Sequence, residues 1–257
     1  MKVVILAGGK GTRLSEETDL IPKPMSLIGG MPVIWHIMKI FNHFGHKEFI
    51  ILAGYKSYKI KEFFENLYRY KSSIEVDLKK NSLNILDNLN DDLNIKIIET
   101  GEESQTGGRI LRAKKHIGPA DFFLTYGDCL ADININKLLK SHKDSKKIAT
   151  VTAVNPQTPY GALTIKNNLV TKFQEKPITS ENQISGGFFI FKKEIFKLLK
   201  DDFTVLEQSP LENLVKTKNL NCYRHNGFWH PMDSLRDKRV LEKMWNDNKA
   251  PWMKLVK

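Results

Sequence analysis

A glycine-rich turn near the amino terminus is the first segment of this sequence that could do chemistry. It runs from Leu6 to Leu14 and reads LAGGKGTRL. Glycines let backbone N–H groups turn toward phosphate oxygens, and Arg13 adds a fork of donors. The turn lacks the four residues that a P-loop has between its first glycine and Gly-Lys-Ser/Thr. It also lacks the dinucleotide fingerprint, because Leu14 stands where the third glycine would be. The turn therefore indicates a phosphate site, although a plain strand-to-helix connection would look the same.

Lys23 follows this turn and is flanked by two prolines, Pro22 and Pro24. Each proline biases the residue before it away from the helical region, so the segment is predicted to be extended. An ammonium group held so close to the turn could neutralise phosphate charge. For Lys23 taken alone, an ordinary surface lysine is the simpler interpretation.

The elements that must position these groups alternate between short apolar runs and amphipathic helical segments. This alternation predicts an α/β fold with a mostly parallel central sheet flanked by helices. The helix that opens at Pro32 repeats apolar residues at helical spacing and stops at Gly45. The predicted strands of the first half are residues 3–6, 49–52, 95–98, 122–125 and 149–152. The glycine-rich turn follows the first strand, at the edge where open α/β sheets bind ligands.

The second half of the chain carries extra, shorter strands. They are predicted at residues 162–166, 169–173, 187–191 and 220–223, with helices near 193–200, 208–217 and 234–248. No internal repeat and no Pro/Gly/Ser-rich linker divides the sequence, so we predict one continuous domain over residues 1–257. The polar stretch 71–94 is predicted to be a hairpin or an excursion on the surface.

Composition excludes several classes of protein. The 257 residues are 41% hydrophobic and 10% aromatic, which is enough to bury a substantial core and excludes disorder. Cys129 and Cys222 have neither metal-ligand nor disulfide-framework spacing, and we interpret them as inert packing residues. The sequence shows no signal-peptide core or membrane span, so we expect a soluble, cytoplasmic protein without a membrane partner.

The formal net charge of +11 raises the question of a nucleic-acid partner. The lysines are scattered along the chain, and no run of five or more basic residues occurs. We therefore interpret the charge as a solvated surface and expect no nucleic-acid partner. Salt-dependent retention on DNA at physiological ionic strength would revive that alternative.

The ordered set of motifs resembles the sugar-phosphate nucleotidylyltransferases over nearly the whole chain. The family's motifs are Leu6–Leu14, Pro22–Pro24, Tyr126–Asp128, Glu175–Pro177 and Gly186–Phe189. Within the family, the chain is most similar to members that transfer CMP from CTP to glucose 1-phosphate. This narrower match rests on Leu14–Thr18, Trp35–Met38, Thr106–Arg109, Gly227–Asp233 and Ala250–Trp252. The resemblance implies a Rossmann-like nucleotidyltransferase fold with a mixed sheet, and an enzyme that uses Mg²⁺ and assembles as a homo-oligomer.

The resemblance also implies which residues bind the nucleotide, in a part of the chain spanning about residues 1–150. The triphosphate would be wrapped by the glycine-rich turn, and Lys23 would counter charge at the α-phosphate. Thr100, Arg109 and the backbone at Gly107 fall where the family reads the base. The whole predicted nucleotide-binding set is Leu6, Ala7, Gly8, Gly9, Gly11, Thr12, Arg13, Lys23, Thr100, Gly107, Arg109 and Asp128. Within this set, Arg13, Lys23 and Asp128 are predicted to be catalytic.

Two aspartates are implied to be the metal ligands, Asp128 and Asp233. Mg²⁺ in proteins usually takes one or two carboxylates and completes its octahedron with waters and substrate phosphates, so the pair suits that ion. An isolated aspartate after a strand more often caps a turn, and an aspartate before Ser234 could serve a helix N-terminus. Only the resemblance favours the metal role.

The acceptor-binding part, about residues 151–257, is implied by the remaining motifs. Lys176 would hold the acceptor phosphate and Glu175 the sugar hydroxyls, although a solvated ion pair is the alternative. The whole predicted set is Tyr126, Gly161, Glu175, Lys176, Ser185 and Gly186. Ser185 stands where the family pattern has asparagine, which leaves acceptors other than glucose 1-phosphate open. Cys129 and His230 also depart from the pattern, in place of glycine and glutamine.

The implied reaction is in-line attack by the phosphate of a sugar 1-phosphate on the α-phosphorus of CTP, with release of pyrophosphate. Such chemistry needs positioning and electrostatic stabilisation rather than a protein nucleophile. Two alternatives remain at this stage. One is a nucleotidylyltransferase with another base or acceptor, and the other is a non-catalytic nucleotide-sugar-binding regulator.

Overall fold

The computed structural model of the protein describes residues 1–11, 20–87, 92–156, 162–166, 169–174 and 183–256. The strands are β1 (Val3–Ala7), β2 (Leu27–Ile28), β3 (Met31–Pro32), β4 (Glu48–Ala53), β5 (Ile74–Asp77), β6 (Ser82–Ile85), β7 (Asn94–Glu99), β8 (Phe122–Tyr126), β9 (Cys129–Ala131), β10 (Ala149–Val154), β11 (Ala162–Lys166), β12 (Leu169–Gln174), β13 (Ile184–Phe191), β14 (Leu220–His225) and β15 (Trp229–Pro231). The helices are α1 (Val33–His43), α2 (Ser57–Lys71), α3 (Thr106–Arg112), α4 (Lys114–Ile117), α5 (Ile135–Ser145), α6 (Ser209–Lys216), α7 (Leu235–Asn246) and α8 (Met253–Val256), with 3₁₀ helices at Lys23–Met25 and Lys193–Lys197.

The central sheet has seven strands in the order β14-β10-β13-β8-β1-β4-β7. Its strands run parallel except β13, which pairs antiparallel with both β8 and β10. The predicted mostly parallel, mixed sheet is therefore confirmed. The strands β1, β4, β7 and β8 all end at one edge, which we call the carboxyl edge. Because β13 is reversed, it begins at that same edge.

Helices cover both faces of this sheet because neighbouring strand residues point in opposite directions. Phe123 and Phe188 belong to one apolar cluster, and the adjacent Phe122 and Phe189 belong to the other. All four are at most 1% exposed. A strand buried on both faces reads as a continuous apolar run, which is why these strands were visible in the sequence. Burying each such side chain contributes roughly 1.5–3 kcal/mol.

The helix α1 shows how the sequence sets the bounds of one element. Pro32 precedes its first turn, where a missing backbone N–H costs nothing. Its apolar residues are buried in the same cluster as Phe123. Gly45 follows the helix with φ of +81°, a conformation that glycine adopts without strain.

Smaller antiparallel ribbons surround the sheet. The polar stretch around residues 71–94 contains the hairpin β5–β6, with largely exposed residues, as predicted. The ribbons β2–β3 and β11–β12 are also hairpins. The ribbon β9–β15 joins segments far apart in the sequence and was not predicted. In the described part of the chain, no helix combines the length and apolar character that crossing a membrane requires.

Candidate active site

A cavity of about 270 Å³ opens at the carboxyl edge of the sheet. Its lining comes from the segments that follow β1 and β8, from the 3₁₀ helix of Lys23 and from the start of α3. The lining residues are Leu6, Ala7, Gly8, Gly9, Gly11, Lys23, Pro24, Thr106, Arg109, Tyr126, Gly127 and Asp128. Most of them are residues that the sequence predicts to bind the nucleotide. Parallel strands explain the convergence, because their carboxyl ends meet at one edge.

The charged centre of the cavity is a lysine between two carboxylates. The Nζ atom of Lys23 lies 2.6 Å from Oδ2 of Asp128 and 2.5 Å from Oδ1 of Asp233. The lysine side chain is 7% exposed, whereas the aspartate side chains are 25% and 30% exposed. Burial alone lowers the pKa of Lys23, but the two carboxylates outweigh it and the pKa is raised. Lys23 is therefore a buried cation with acidic partners that remain open to solvent.

The ribbon β9–β15 brings the two aspartates together. Asp128 immediately precedes β9, and Asp233 lies just after β15. The strands run antiparallel with Cys129 opposite Pro231, so both carboxylates fall at the same end of the ribbon. The N–H of Met232 donates to the carbonyl of Asp128 at 2.8 Å, which closes this end.

The helix that follows Asp233 does not depend on it for a cap. Ser234 is the N-cap of α7, and its hydroxyl and the carboxylate of Asp237 form a capping box. The Asp233 backbone N–H also donates to Asp237, at 3.1 Å. The Asp233 carboxylate is thus directed to Lys23 while another residue caps the helix, and the helix N-terminal interpretation is unnecessary.

The two aspartates have the donor chemistry that Mg²⁺ requires. Over the ranges that the structure describes, no cluster of three or more His, Cys, Asp or Glu side chains could hold a metal. A pair of partly exposed carboxylates beside a phosphate-sized cavity fits an ion that takes one or two carboxylates and fills its remaining positions with phosphates and water. The donor chemistry of the two aspartates therefore fits Mg²⁺.

Arg109 also lines the cavity. Its guanidinium donates to Oγ1 of Thr100 at 2.8 Å and to the carbonyls of Gly101 at 2.6 Å and Glu102 at 3.0 Å. Burial, with a contribution from the charge of Arg112, lowers the pKa of Arg109. Thr100 is fully buried and donates to the carbonyl of Ala53, so it supports Arg109 from behind the wall.

Gly8 leaves the space that this guanidinium occupies. A Cβ at position 8 would lie 2.1 Å from Nη1 of Arg109, whereas a Cβ at Gly9 would meet nothing within 4 Å. We expect Gly8→Ala to cost about 1–3 kcal/mol of unfolding free energy, because Arg109 is held by three hydrogen bonds and has to move. Thermal unfolding of Gly8→Ala and the control Gly9→Ala measures this. Equal stability of the two variants would show that Arg109 moves without cost.

Gly107 packs against the loop of residues 201–207, a contact that no sequence pattern predicted. Its N–H donates to the carbonyl of Thr204 at 2.9 Å, and a Cβ there would lie 2.7 Å from the same oxygen. At Gly108, a Cβ would lie 2.2 Å from the carbonyl oxygen of Asp202. Because these two glycines have no side chain, residues 201–207 can pack directly against α3. The Gly107 N–H is therefore already engaged by the loop in this structure.

Glu207, at the end of this loop, is a residue that no sequence motif indicated. One carboxylate oxygen accepts a hydrogen bond from the hydroxyl of Tyr126, and the other accepts from Thr106 at 2.6 Å. Tyr126 and Thr106 both line the cavity. Burial, with the charge of Glu207, raises the pKa of Tyr126, so the phenol keeps its proton. Tyr126 was predicted for the acceptor, but the structure also places it on the wall shared with the nucleotide candidates.

On the predicted acceptor side, the structure describes Ser185 and Gly186 at the start of β13. Ser185 is exposed, and the carbonyl of Gly186 accepts from Nε1 of Trp229 at 2.8 Å. This hydrogen bond joins β13 to β15, the strand that precedes Asp233. The remaining site predictions fall outside the described residues, namely Thr12, Arg13, Gly161, Glu175 and Lys176.

Cys129 is buried beside Asp128, and its Sγ lies 3.4 Å from Oδ1 of that residue. Burial, reinforced by the charge of Asp128, raises the pKa of the thiol. A thiol held in the protonated form is a poor nucleophile, which agrees with a packing role. Cys222 is exposed.

Known proteins are similar to this chain in sequence. The sequence profile described as "Nucleotidyl transferase" matches residues 2–246. Proteins named glucose-1-phosphate cytidylyltransferase from Salmonella typhimurium and Salmonella typhi are each 45% identical over 253 residues, covering 98% of this chain and 98% of each relative. The similarity thus extends over nearly the whole length of both relatives.

The fold recurs in solved structures at lower sequence identity. The structure of HddC from Yersinia pseudotuberculosis complexed with GMP-PN has a TM-score of 0.68 and 24% identity, covering 95% of this chain and 99% of that chain. At this identity the match supports the fold alone. Together with similar nucleotidyltransferase structures, it confirms the predicted Rossmann-like nucleotidyltransferase fold.

Proposed function

Because the chain belongs to the nucleotidyl transferase family, we propose that it transfers CMP from CTP to glucose 1-phosphate, giving CDP-glucose and pyrophosphate. The observation that carries this proposal is 45% identity, over 98% of the chain, to glucose-1-phosphate cytidylyltransferases. The cavity supports it independently, because glycines, a buried cation and two carboxylates converge there. These are the groups that a triphosphate and its metal need.

The first task of the site is to bring two anions together. Backbone groups at Gly8, Gly9 and Gly11 line one wall, where they would bind the triphosphate. Lys23 lines the same cavity and would approach the α-phosphate, the position of attack. The side chain needs only to exchange its carboxylate partners for phosphate oxygens. Its burial keeps water from screening the charge.

The bound metal would be Mg²⁺, held by Asp128 and Asp233. Members of this family generally use a divalent metal. When bound, the ion neutralises phosphate charge and favours the geometry of in-line displacement. The ribbon β9–β15 keeps the two carboxylates convergent before substrate arrives. Pre-organised charge of this kind needs no rearrangement at the moment of reaction.

The reaction itself needs no protein nucleophile. An oxygen of the glucose 1-phosphate monoester forms the new bond to the α-phosphorus of CTP, while the bond to the pyrophosphate oxygen breaks. Both partners carry negative charge, so alignment and charge neutralisation lower the barrier. Arg13 would add a second cation at the triphosphate, and Lys176 one at the acceptor phosphate, as predicted from the sequence.

Pyrophosphate release tests the proposed activity. The purified protein is assayed with Mg²⁺ over a grid of nucleoside triphosphates and sugar 1-phosphates, including galactose and mannose 1-phosphate. We expect the fastest release with CTP and glucose 1-phosphate. The grid also examines Ser185, because a shorter side chain in place of asparagine would favour another acceptor. The absence of release from CTP with every acceptor would overturn the proposal.

Lys176→Ala is expected to weaken use of the acceptor selectively. Loss of a charge-assisted contact to phosphate should raise the KM for glucose 1-phosphate about tenfold or more, and leave the KM for CTP nearly unchanged. Steady-state kinetics with each substrate varied in turn measures the difference. Lys216→Ala, an exposed lysine on α6, serves as the control. An unchanged acceptor KM at the wild-type rate would refute the role.

The assembly and location of the protein are further proposals from the sequence. We propose a cytoplasmic homo-oligomer, and size-exclusion chromatography with light scattering tests the assembly. A monomer at micromolar concentration would contradict it.

A further inference from the structure

The wall of the cavity formed by Tyr126 and Thr106 carries two hydroxyl groups whose protons are both directed away from it. Tyr126 donates its proton to one oxygen of Glu207, and Thr106 donates its proton to the other at 2.6 Å. A hydroxyl has one proton and two lone pairs. With the protons committed to Glu207, each hydroxyl can offer only lone pairs to a ligand.

The backbone holds Glu207 in this position. The N–H of Leu206 donates to Oγ1 of Thr106 at 2.9 Å, which uses one lone pair of that oxygen and leaves one. Asp202, in the same loop, accepts two hydrogen bonds from Arg112, at 2.7 Å and 2.5 Å. The loop is therefore attached to α3 at both ends.

From this arrangement we infer that Glu207 is a positioning residue for base selection. By accepting both protons, it makes Tyr126 and Thr106 a wall of acceptors, which suits a base with an exocyclic amino group and repels one with a carbonyl at the same position. Cytosine carries an amino group where uracil carries oxygen. The inference rests on the proposed function and deepens it, because it names the groups that would distinguish CTP from UTP.

The wall of acceptors is expected to favour CTP over UTP by a measurable factor in kcat/KM. A cytosine amino group facing this wall gains a hydrogen bond, whereas a uracil oxygen there meets another acceptor and loses its water. Sites that read a base by hydrogen bonds typically discriminate about 10- to 100-fold per base. We therefore expect the wild-type ratio of kcat/KM for CTP over UTP to be at least ~10 for this contact alone.

Glu207→Gln is the sharpest test, because glutamine keeps the shape but replaces one acceptor with an NH₂ donor. Tyr126 or Thr106 must then accept from the amide and can turn its own proton toward the cavity. We expect the CTP/UTP ratio of kcat/KM to fall about tenfold, with both a loss for CTP and a gain for UTP. Glu212→Gln, which removes an exposed carboxylate of α6, is the matched control and should leave the ratio unchanged.

A second variant keeps the inference testable if the glutamine variant folds poorly. Tyr126→Phe preserves the ring, which packs against Gly187, and removes only the hydroxyl acceptor. It should also lower the CTP/UTP ratio of kcat/KM. Thermal unfolding reports the integrity of each variant. A purely structural role of Glu207 would change stability and overall rate but would leave the ratio of the two nucleotides unchanged.

The outcomes separate this inference from the proposed function. No activity of the wild-type protein with CTP would refute the proposed function. Wild-type activity with CTP and UTP at equal kcat/KM would leave the transfer reaction intact and overturn the role of Glu207. The same conclusion follows if the wild type prefers CTP and neither Glu207→Gln nor Tyr126→Phe changes the ratio.

Discussion

Asp128→Asn is expected to lower kcat for nucleotidyl transfer by roughly 1000-fold, and Asp233→Asn by a similar factor. Each change removes one of the two carboxylates that converge on Lys23 at 2.6 Å and 2.5 Å. Neutralising a metal ligand removes several kcal/mol of transition-state stabilisation, and each 1.36 kcal/mol is tenfold in rate. The fold should persist, because the remaining carboxylate still neutralises the buried lysine.

The measurement is pyrophosphate release at increasing Mg²⁺, alongside thermal unfolding. Asp144→Asn is the control, since it removes an aspartate of α5 whose partner is the exposed Lys140. Surface pairs of this kind contribute at most about 1 kcal/mol, so its activity and stability should match the wild type. Activity of both Asp128→Asn and Asp233→Asn near the wild-type level at saturating Mg²⁺ would exclude the metal assignment.

Lys23→Met is expected to lower turnover at least ~100-fold, the usual loss when one pre-organised charge at a transition state is removed. Methionine has a similar length but no charge, so the cavity keeps its shape. The variant should also show a second effect that depends on the neighbours of Lys23. Asp128 and Asp233 would face each other without the cation between them, and their repulsion would lower stability at neutral pH.

Added Mg²⁺ should then stabilise Lys23→Met more than it stabilises the wild type. The ion would meet two carboxylates that have lost their internal counter-charge, and binding to the folded state raises Tm. Protonation of the carboxylates at low pH should likewise reduce the stability deficit. Lys59→Met is the control, because Lys59 pairs with Glu62 on an exposed face. A Lys23→Met variant with wild-type turnover, or with no greater response of Tm to Mg²⁺, would contradict this account.

Much of the site could be predicted because its parts are local in sequence. The glycine-rich turn and Lys23 are visible as short motifs. The extended conformation predicted for Lys23 from its flanking prolines is wrong, because Pro22 is extended but Lys23–Met25 form a 3₁₀ helix. The strands were visible because burial on both faces requires continuous apolar runs. A resemblance of motif order then assigned Asp128 and Asp233 together, before any geometry related them.

Other features depend on pairings that leave no local signal. Glu207 has no motif, and its bonds to Tyr126 and Thr106 span 81 and 101 residues of sequence. Gly107 and Gly108 have no side chain, and this leaves room for the loop around Asp202 and Thr204. Where two distant segments pack closely, only glycine fits. The glycine in the sequence does not indicate which segment packs against it.

The sequence by itself determined most of the strand and helix order and the place of the glycine-rich turn, because propensity and hydrophobic periodicity act over a few neighbouring residues. The candidate metal ligands were predicted from a resemblance of motif order. Tertiary structure decided how those groups meet. The reversed strand β13 and the ribbon β9–β15 depend on hydrogen bonds between segments far apart in the chain. Only that pairing places Asp233 beside Asp128 and Lys23, and only the packing of residues 201–207 brings Glu207 to the hydroxyls of Tyr126 and Thr106.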